Sequence, residues 1–273
     1  MNKILSIRKL APNVKEYVIE APLVAKRCKP GQFVIVIVDE DGERVPFTIA
    51  DYDRTLGTIT ILVQEVGYST MRLGELTVGD SVYAFVGPLG NPTDLEQYDK
   101  VVLVGGGIGT AVIYPQAKRL KSIQKSADVI VGARTKELVM YEEEFLKNAE
   151  NLYIVTDDGS YKEKGFVTDK LKALLDSGKK YDAVFAVGPM PMMRAVANLT
   201  REYGIKTIVS MNSIMVDGTG MCGGCRLTVG GETKYACVDG PEFDGHLVNF
   251  DEAMNRLTYY KEIEADHKCR LRG

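Results

Sequence analysis

The sequence predicts an antiparallel β domain, then a parallel α/β domain, then a small cysteine-bearing segment. Three observations carry this. Short β-type runs broken by turn formers occupy residues 1–97, apolar strands alternate with helical spacing over 98–211, and glycine and cysteine punctuate 212–273.

In the first block Val14 to Ile19, Phe33 to Val38, Thr58 to Val63 and Ser81 to Val86 are rich in β-branched and aromatic residues. Between them stand the turn formers Lys29-Pro30-Gly31-Gln32, Asp41-Gly42 and Gly87-Pro88-Leu89-Gly90. An antiparallel barrel or sandwich fits this rhythm. From Lys100 the strand segments VVLVGGGIGTA, ADVIVGAR, NLYIVTDDGS, YDAVFAVGP and TIVSM alternate with other stretches. These are Ile113 to Gln124, Tyr141 to Asn148, Val167 to Leu175 and Met192 to Tyr203, where apolar residues recur at helical spacing. Such alternation makes a parallel sheet. The last block offers one short helix near Asp251 to Leu257.

Composition narrows the function classes. Hydrophobic residues make up 45% of the 273 and charged ones 26%, enough apolar surface for two or three compact cores. Lys plus Arg number 34 against 37 Asp plus Glu, with no long basic run, so no nucleic-acid partner is expected. The opening MNKILSIRKL is too short in apolar residues for a signal peptide, and runs such as Phe33 to Val38 fall far below a membrane span. A cytoplasmic protein without a membrane partner is the expectation. Five cysteines, three of them clustered among glycines, suit a metal or redox site in a reducing compartment better than a disulfide framework. Cys28 and Cys269 are read as incidental, and His267 as a surface residue.

Three stretches carry candidate chemistry. The turn Gly105-Gly106-Gly107-Ile108-Gly109-Thr110 follows the strand Val101 to Val104 and opens a helix. Glycines there let the backbone approach a pyrophosphate, although the register is not G-x-G-x-x-G and tight packing alone also explains such a turn. The strand ending in Thr156-Asp157-Asp158-Gly159 offers carboxylates that take ribose hydroxyls and repel a 2′-phosphate, or simply a solvated acidic turn. Arg44-Val45-Pro46-Phe47-Thr48 combines a planar guanidinium with a hydroxyl on a β surface, which by itself is an ordinary strand.

The tail holds Asp217, Cys222, Cys225 and Cys237 in the pattern D-x4-C-x2-C-x11-C. This is the plant-type ferredoxin spacing C-x4-C-x2-C with aspartate in place of the first cysteine. Three thiolates leave a tetrahedral site one ligand short. Asp217 can complete an iron–sulfur site through a carboxylate oxygen, or merely cap its Asp-Gly turn. His246 is the rival ligand and would make a Cys3His zinc site.

The ordered set R-x-x-F-T, GPLGNP, VGGGIGTA, GARTKEL, VTDDGS, VGPMPMMRAV and the terminal cysteine cluster resembles the ferredoxin-NADP reductase superfamily over nearly the whole chain. The branch is the one containing the electron-transfer subunit of dihydroorotate dehydrogenase. Within it, MNSIMVDGTGMCGGCRLTV is most similar to the small-subunit family of NADH-dependent reduced ferredoxin:NADP oxidoreductases, also known as sulfide dehydrogenase beta subunits. Asp217 departs from the four cysteines of the dihydroorotate branch.

The resemblance implies an FAD-binding β-barrel over 1–97, an NAD-binding domain over 98–211 and a two-iron, two-sulfur segment over 212–273. FAD would be held by Arg44, Pro46, Phe47 and Thr48, helped by Leu62, Val63 and Gln64 and by Ser69 and Thr70. Gly106, Gly107, Ile108, Gly109 and Thr110 would cradle the pyrophosphate of NAD(H). Arg134, Asp157 and Asp158 would border its adenosine half, and Gly188, Pro189 and Met190 the approach to the nicotinamide. Relatives that use NADP commonly place Ser-Arg where Asp157-Asp158 stands. Asp217, Cys222, Cys225 and Cys237 would ligate the cluster.

No side chain is expected to act as a catalytic acid, base or nucleophile, because the cofactors carry the chemistry. The implied protein is an electron-transfer subunit of a heterodimer, whose larger partner carries a second flavin and iron–sulfur clusters, performs electron bifurcation, and links the chain to ferredoxin indirectly. Two alternatives stand beside it: service to a dihydroorotate or sulfide/polysulfide flavoenzyme, and a zinc-stabilised module without catalysis.

Overall fold

The computed structural model describes residues 2–263, 265 and 266; Cys269 and His267 lie outside the described residues. By contacts the chain forms two compact units rather than three segments. The first takes the chain up to Asn91 together with Asn212–Pro241 and the stretch from Asn249 onward, and the second takes Pro92–Met211 with Glu242–Val248.

The first unit opens with β1 (Asn2–Ala11), β2 (Val14–Glu20), α1 (Pro22–Arg27), β3 (Phe33–Ile37), β4 (Val45–Asp53), β5 (Thr58–Gln64), α2 (Tyr68–Glu75), β6 (Ser81–Val82) and β7 (Ala84–Leu89). Its strands lie in the order β6-β1-β2-β5-β4-β3-β7, every neighbouring pair antiparallel. The two edge strands are consecutive in the chain, separated only by Tyr83. One extended stretch therefore pairs with β1 before that residue and with β3 after it, which closes the sheet and leaves no long unpaired edge. The run expected from Ser81 to Val86 is broken at Tyr83 for this reason, and the Tyr83 N–H turns to the Val38 carbonyl, 3.2 Å away.

Inward-facing Ile4, Ile19, Ile49, Ile59 and Ile61 fill the core with Tyr17 and Leu73. Each such side chain contributes about 1.5–3 kcal/mol on burial. Tyr17 is fully buried, and its hydroxyl donates to the Leu73 carbonyl at 3.1 Å, tying α2 to the barrel. Cys28 is a buried core residue, its thiol pushed up to about 11, chiefly by burial.

The second unit contains β8 (Val101–Gly106), α3 (Thr110–Ser122), β9 (Ala127–Ala133), α4 (Glu142–Asn148), β10 (Leu152–Thr156), β11 (Glu163–Lys164), α5 (Val167–Asp176), β12 (Ala183–Val187), α6 (Met190–Glu202) and β13 (Lys206–Ser210). The chain then returns to the first unit for the hairpin β14 (Arg226–Val229) and β15 (Glu232–Tyr235). It crosses back for β16 (Glu242–Asp244) and ends its described structure around α7 (Phe250–Arg256). Residues 242–248 belong with the second unit because β16 pairs antiparallel with β13.

The second sheet has the order β11-β10-β9-β8-β12-β13-β16, parallel except for its last strand. Its central strands β8 and β12 are buried throughout, as apolar strands covered on both faces must be. From β8 the chain winds one way to β9 and β10, and then the other way to β12 and β13. The strand order therefore reverses between β8 and β12, and the crevice at their carboxyl ends is where open α/β sheets bind ligands.

Candidate functional site

In the first unit β4 and β5 pair from Ile49 opposite Ile61 to Asp53 opposite Thr58, and no further. Beyond that point Val45–Thr48 pair only with β3, and Leu62–Gln64 only with β2. The two strands splay, and their facing edges carry Val45–Thr48 on one side and Leu62–Gln64 on the other. Backbone N–H and C=O groups on such edges require partners, and a proline is tolerated where the ladder is locally unpaired. Val63 and Leu62 bury their side chains, leaving backbone to face the slit.

α2 begins just beyond β5. The Ser69 hydroxyl donates to the Glu43 carboxylate next to Arg44. The Thr70 hydroxyl accepts from the N–H groups of Val66 and Gly67 at 3.0 and 2.9 Å and donates to the Gly67 carbonyl, so it caps the helix. A ligand at this end meets the first-turn amides, which have no intrahelical acceptor. Arg44 is half-buried, and its Nε and Nη2 donate to the carbonyls of Val216 and Asp217 at 2.9 and 3.0 Å.

The cysteine loop belongs to the same unit. Gly218, Gly220 and Gly223 sit at φ of +81°, +91° and +66°, which lets the chain turn back on itself between its ligand candidates. Cys225 and Cys237 are buried with their sulfurs 3.3 Å apart, and the Cys237 N–H points at the Cys225 sulfur. Cys222 is exposed and receives the Gly224 N–H at 3.4 Å. That amide and those of Asp217 and Val216 hold its thiol below the usual range, while burial beside Cys225 pushes Cys237 up.

Asp217 turns its carboxylate inward along the loop. Its Oδ2 accepts from the Thr219 hydroxyl, from the Thr219 N–H at 2.8 Å and from the Met221 N–H at 3.2 Å. These donors, with the Arg44 guanidinium, hold its carboxyl below the ordinary value. The turn-capping arrangement is thus the one observed, and among the described residues no three Cys, His, Asp or Glu side chains converge on one point. The donor set nonetheless suits an iron–sulfur cluster: a carboxylate and two thiols on one loop and a third thiol just after the β14–β15 hairpin, with amides of Gly224 and Cys237 aimed at sulfur. His246 belongs to the second unit, its Nε2 3.0 Å from the Thr200 hydroxyl.

In the second unit the glycine turn lies at the β8–β12 switch point. A Cβ on Gly109 would stand 2.3 Å from the Val187 carbonyl oxygen, and one on Gly106 would strike the Met192 sulfur at 2.3 Å. A Cβ on Gly188 would stand 2.8 Å from the Met192 methyl carbon. Gly107 differs: its φ is +55° and its missing side chain faces open space. Thr110, at the start of α3, is buried, and Ile108 is half-exposed.

Met190 is buried and Pro189 exposed. Met192, which packs behind two of these glycines, was legible only as one more residue of an apolar helix face. Arg134 and Asp157 follow the paired residues Ala133 and Thr156, so both lie at the carboxyl ends of neighbouring strands. Both are exposed, as is Asp158. The Asp158 N–H donates to the Arg134 carbonyl, and Ser160 holds the Asp158 carboxyl below its usual range. A buried polar group went unforeseen in this unit: Gln116 Nε2 donates to the Thr93 hydroxyl, which donates to Glu242. Among the described residues no helix is long and apolar enough to cross a membrane.

A closed antiparallel barrel followed by a doubly wound sheet, with a cysteine loop carried on the barrel unit, is the ferredoxin-NADP reductase architecture extended by an iron–sulfur-type segment. A family profile described as the iron-sulfur cluster binding domain of dihydroorotate dehydrogenase B matches residues 212–249. A Thermotoga maritima protein named dihydroorotate dehydrogenase B (NAD(+)), electron transfer subunit homolog is 46% identical over 97% of this chain and 93% of its own length. The dihydroorotate dehydrogenase B electron transfer subunit of Bacillus caldolyticus is 36% identical over 88% of this chain and 94% of its own. A solved structure of the NADH-dependent reduced ferredoxin-NADP oxidoreductase, described in terms of flavin-based electron bifurcation, superposes with a TM-score of 0.95 at 43% identity, covering 100% of this chain and 98% of that one. The chain belongs to the family of dihydroorotate dehydrogenase B-type electron transfer subunits, which are oxidoreductase components.

Proposed function

We propose that this chain is the NADH-linked electron-transfer subunit of a two-subunit oxidoreductase, holding FAD on the barrel and a two-iron, two-sulfur cluster on the cysteine loop. The observation that carries this is the splayed slit between β4 and β5, whose open backbone edges belong to the compact unit that also carries the three cysteines. Bound FAD supplies the exchange between the two electrons of a nicotinamide hydride and the single electrons an iron–sulfur cluster accepts.

The protein's part is to bind and orient. Pro46, Phe47 and Thr48 on one edge and Leu62, Val63 and Gln64 on the other present backbone groups to the flavin ring. Arg44 and the first-turn amides of Ser69 and Thr70 meet its pyrophosphate. Gly106, Gly107, Ile108, Gly109 and Thr110 admit the pyrophosphate of NADH at the switch point, with Gly188, Pro189 and the Met190 backbone across from them. Arg134, Asp157 and Asp158 take the adenosine half, where two carboxylates disfavour a 2′-phosphate. Cys222, Cys225 and Cys237 would hold the cluster, and Asp217 would supply the fourth ligand in place of its hydrogen bonds to Thr219 and Met221.

The relative of known structure acts in flavin-based electron bifurcation with ferredoxin and NADP. By analogy the partner here is a larger flavin and iron–sulfur subunit that connects the chain to ferredoxin indirectly, in the cytoplasm. The names of other relatives favour a second reading, service to a dihydroorotate-oxidising partner, and which large subunit copurifies decides between them. The direct test is an anaerobic preparation analysed for FAD, iron and sulfide, by visible absorption and by electron paramagnetic resonance before and after NADH. One FAD and two irons per chain, reduced by NADH, are expected. A flavin-free chain containing one zinc overturns the proposal.

A further inference from the structure

Arg44 spans two parts of the first unit that are 172 residues apart in the chain. It ends the loop before β4, at the mouth of the splayed slit, and its guanidinium donates from Nε to the Val216 carbonyl and from Nη2 to the Asp217 carbonyl, at 2.9 and 3.0 Å. A planar fork with fixed N–H directions suits two successive carbonyls in a way that a flexible ammonium does not.

The same loop is seated on the barrel at a second point. Gly218 lies at φ +81°, and a Cβ there would stand 3.0 Å from the Ile35 side chain and 3.2 Å from that of Leu89, so the loop lies close against β3 and β7. Farther along, Asn91 holds the other side of the cysteine segment, its N–H on the Gly240 carbonyl at 2.7 Å and its side-chain amide on the Val238 carbonyl at 3.1 Å.

We propose that Arg44 is a positioning residue for the cluster loop: it fixes the carbonyls of Val216 and Asp217 to the flavin strand, and so sets the place of the first ligand relative to the barrel. This rests on the cofactor assignments above. Two of the five guanidinium N–H groups are engaged by the loop, which leaves three for a pyrophosphate. One side chain then serves both cofactors. Because each engagement orders the same guanidinium, loss of either weakens the other, as reciprocal linkage requires. Gly218 packing confines the loop, and Arg44 grips the peptides on either side of Asp217 by hydrogen bonds, as Arg256 and Asn91 do the carbonyls of Gly224 and Val238 near the cysteines.

The test separates the two duties with Arg44→Lys in the full chain, loaded with excess FAD. Lysine keeps the charge a phosphate needs and loses the fork. With FAD bound, iron release to a ferrous chelator is expected to accelerate roughly tenfold, the effect of losing about one charge-assisted hydrogen bond. A changed electron paramagnetic resonance line shape should accompany it. Arg44→Gln, which keeps one amide donor, should fall between Arg44→Lys and the wild type.

Wild-type iron release and line shape in Arg44→Lys, whether FAD is retained or lost, overturn the proposal and make Arg44 a flavin ligand only. If neither variant yields folded barrel by circular dichroism, Arg44 belongs to the folding of the barrel, and the proposal is likewise overturned. A wild-type chain with no two-iron signal defeats the cofactor assignment itself, a result distinct from either of these.

Discussion

The glycine turn permits a prediction in which stability and binding part company. At Gly109 the backbone is ordinary for a helix start, φ −60° and ψ −19°, so alanine meets no conformational obstacle there. The obstacle is contact: the added methyl would lie 2.3 Å from the Val187 oxygen, 2.6 Å from the Val187 carbonyl carbon and 2.8 Å from the Gly188 nitrogen. All three are backbone atoms at the end of β12 and cannot rotate away. Gly109→Ala should therefore cost about 1–3 kcal/mol, the usual range for overpacking, by prying α3 from the sheet. Gly107→Ala reverses the balance. Its methyl touches nothing within 4 Å, and its φ of +55° costs an L-residue about 1–2 kcal/mol, partly offset by the about 0.4–1 kcal/mol gained from a less flexible unfolded chain. The space that methyl enters is the one assigned to the pyrophosphate, so Gly107→Ala should fold nearly normally and bind NADH at least roughly tenfold more weakly, about 1.4 kcal/mol. Urea midpoints and NADH titration of the bound flavin measure the two effects. NADH affinity unchanged in Gly107→Ala, with the protein folded, would refute the assignment of this turn.

Three further predictions follow from the same geometry. NADH should reduce the flavin much faster than NADPH, and replacing Asp157 with Ser and Asp158 with Arg should narrow the gap in stopped-flow rates; equal wild-type rates would remove the adenosine assignment. Burial raises the Glu242 carboxyl to about 8, so the folded chain retains a proton that the unfolded chain loses near its ordinary value of 4.5. Stability from this group is greatest below about pH 4.5 and is lost as pH rises toward 8. Glu242→Gln, which keeps a group able to meet the Thr93 hydroxyl, should flatten that slope in urea midpoints measured between pH 5 and about 8, and an unchanged slope would show that other groups set it. Asp217→Cys should keep the two-iron cluster and lower its potential, because a thiolate gives iron more electron density than a carboxylate does, each ~59 mV being tenfold in a one-electron equilibrium. Asp217→Ala should make the cluster labile while His246→Ala changes little, and iron counts with the reverse pattern would assign the fourth ligand to histidine.

Much of this fold was open to inspection in the sequence because its strongest signals are periodic. The helix expected from Val167 to Leu175 is α5, Val167–Asp176, and the one expected from Asp251 to Leu257 is α7, Phe250–Arg256. β1 escaped notice since NKILSIRKLA mixes charges into a strand whose burial alternates only loosely. Nor does any local signal separate 81–82 from 84–89, because the change of partner at Tyr83 is a property of barrel closure. The assignment of 242–248 to the second unit is non-local in the same sense: it follows from β16 pairing with β13, a contact written nowhere in the residues near Gly240.

The site was legible in its residue types and not in their commitments. Arg44, Thr70 and Asp217 each have the donor or acceptor the proposed cofactors call for, and each is already engaged: Arg44 with loop carbonyls, Thr70 with the start of α2, Asp217 with Thr219 and Met221. Such bonds depend on rotamers and on neighbours far away in the chain, which motif spacing does not encode. Their consequence for Asp217 is energetic. A carboxylate that must give up the amides of Thr219 and Met221 before it meets iron starts from a stabilised state, so its net gain as a ligand is smaller than that of a cysteine facing the same gap. The same amides would be freed to donate elsewhere, in a segment where the Gly224 and Cys237 N–H groups already point at the Cys222 and Cys225 sulfurs. Under the proposed assignment, capping and ligation would be alternative uses of one turn: the amides of Thr219 and Met221 that hold the Asp217 carboxylate would be the donors able to stabilise bound sulfur.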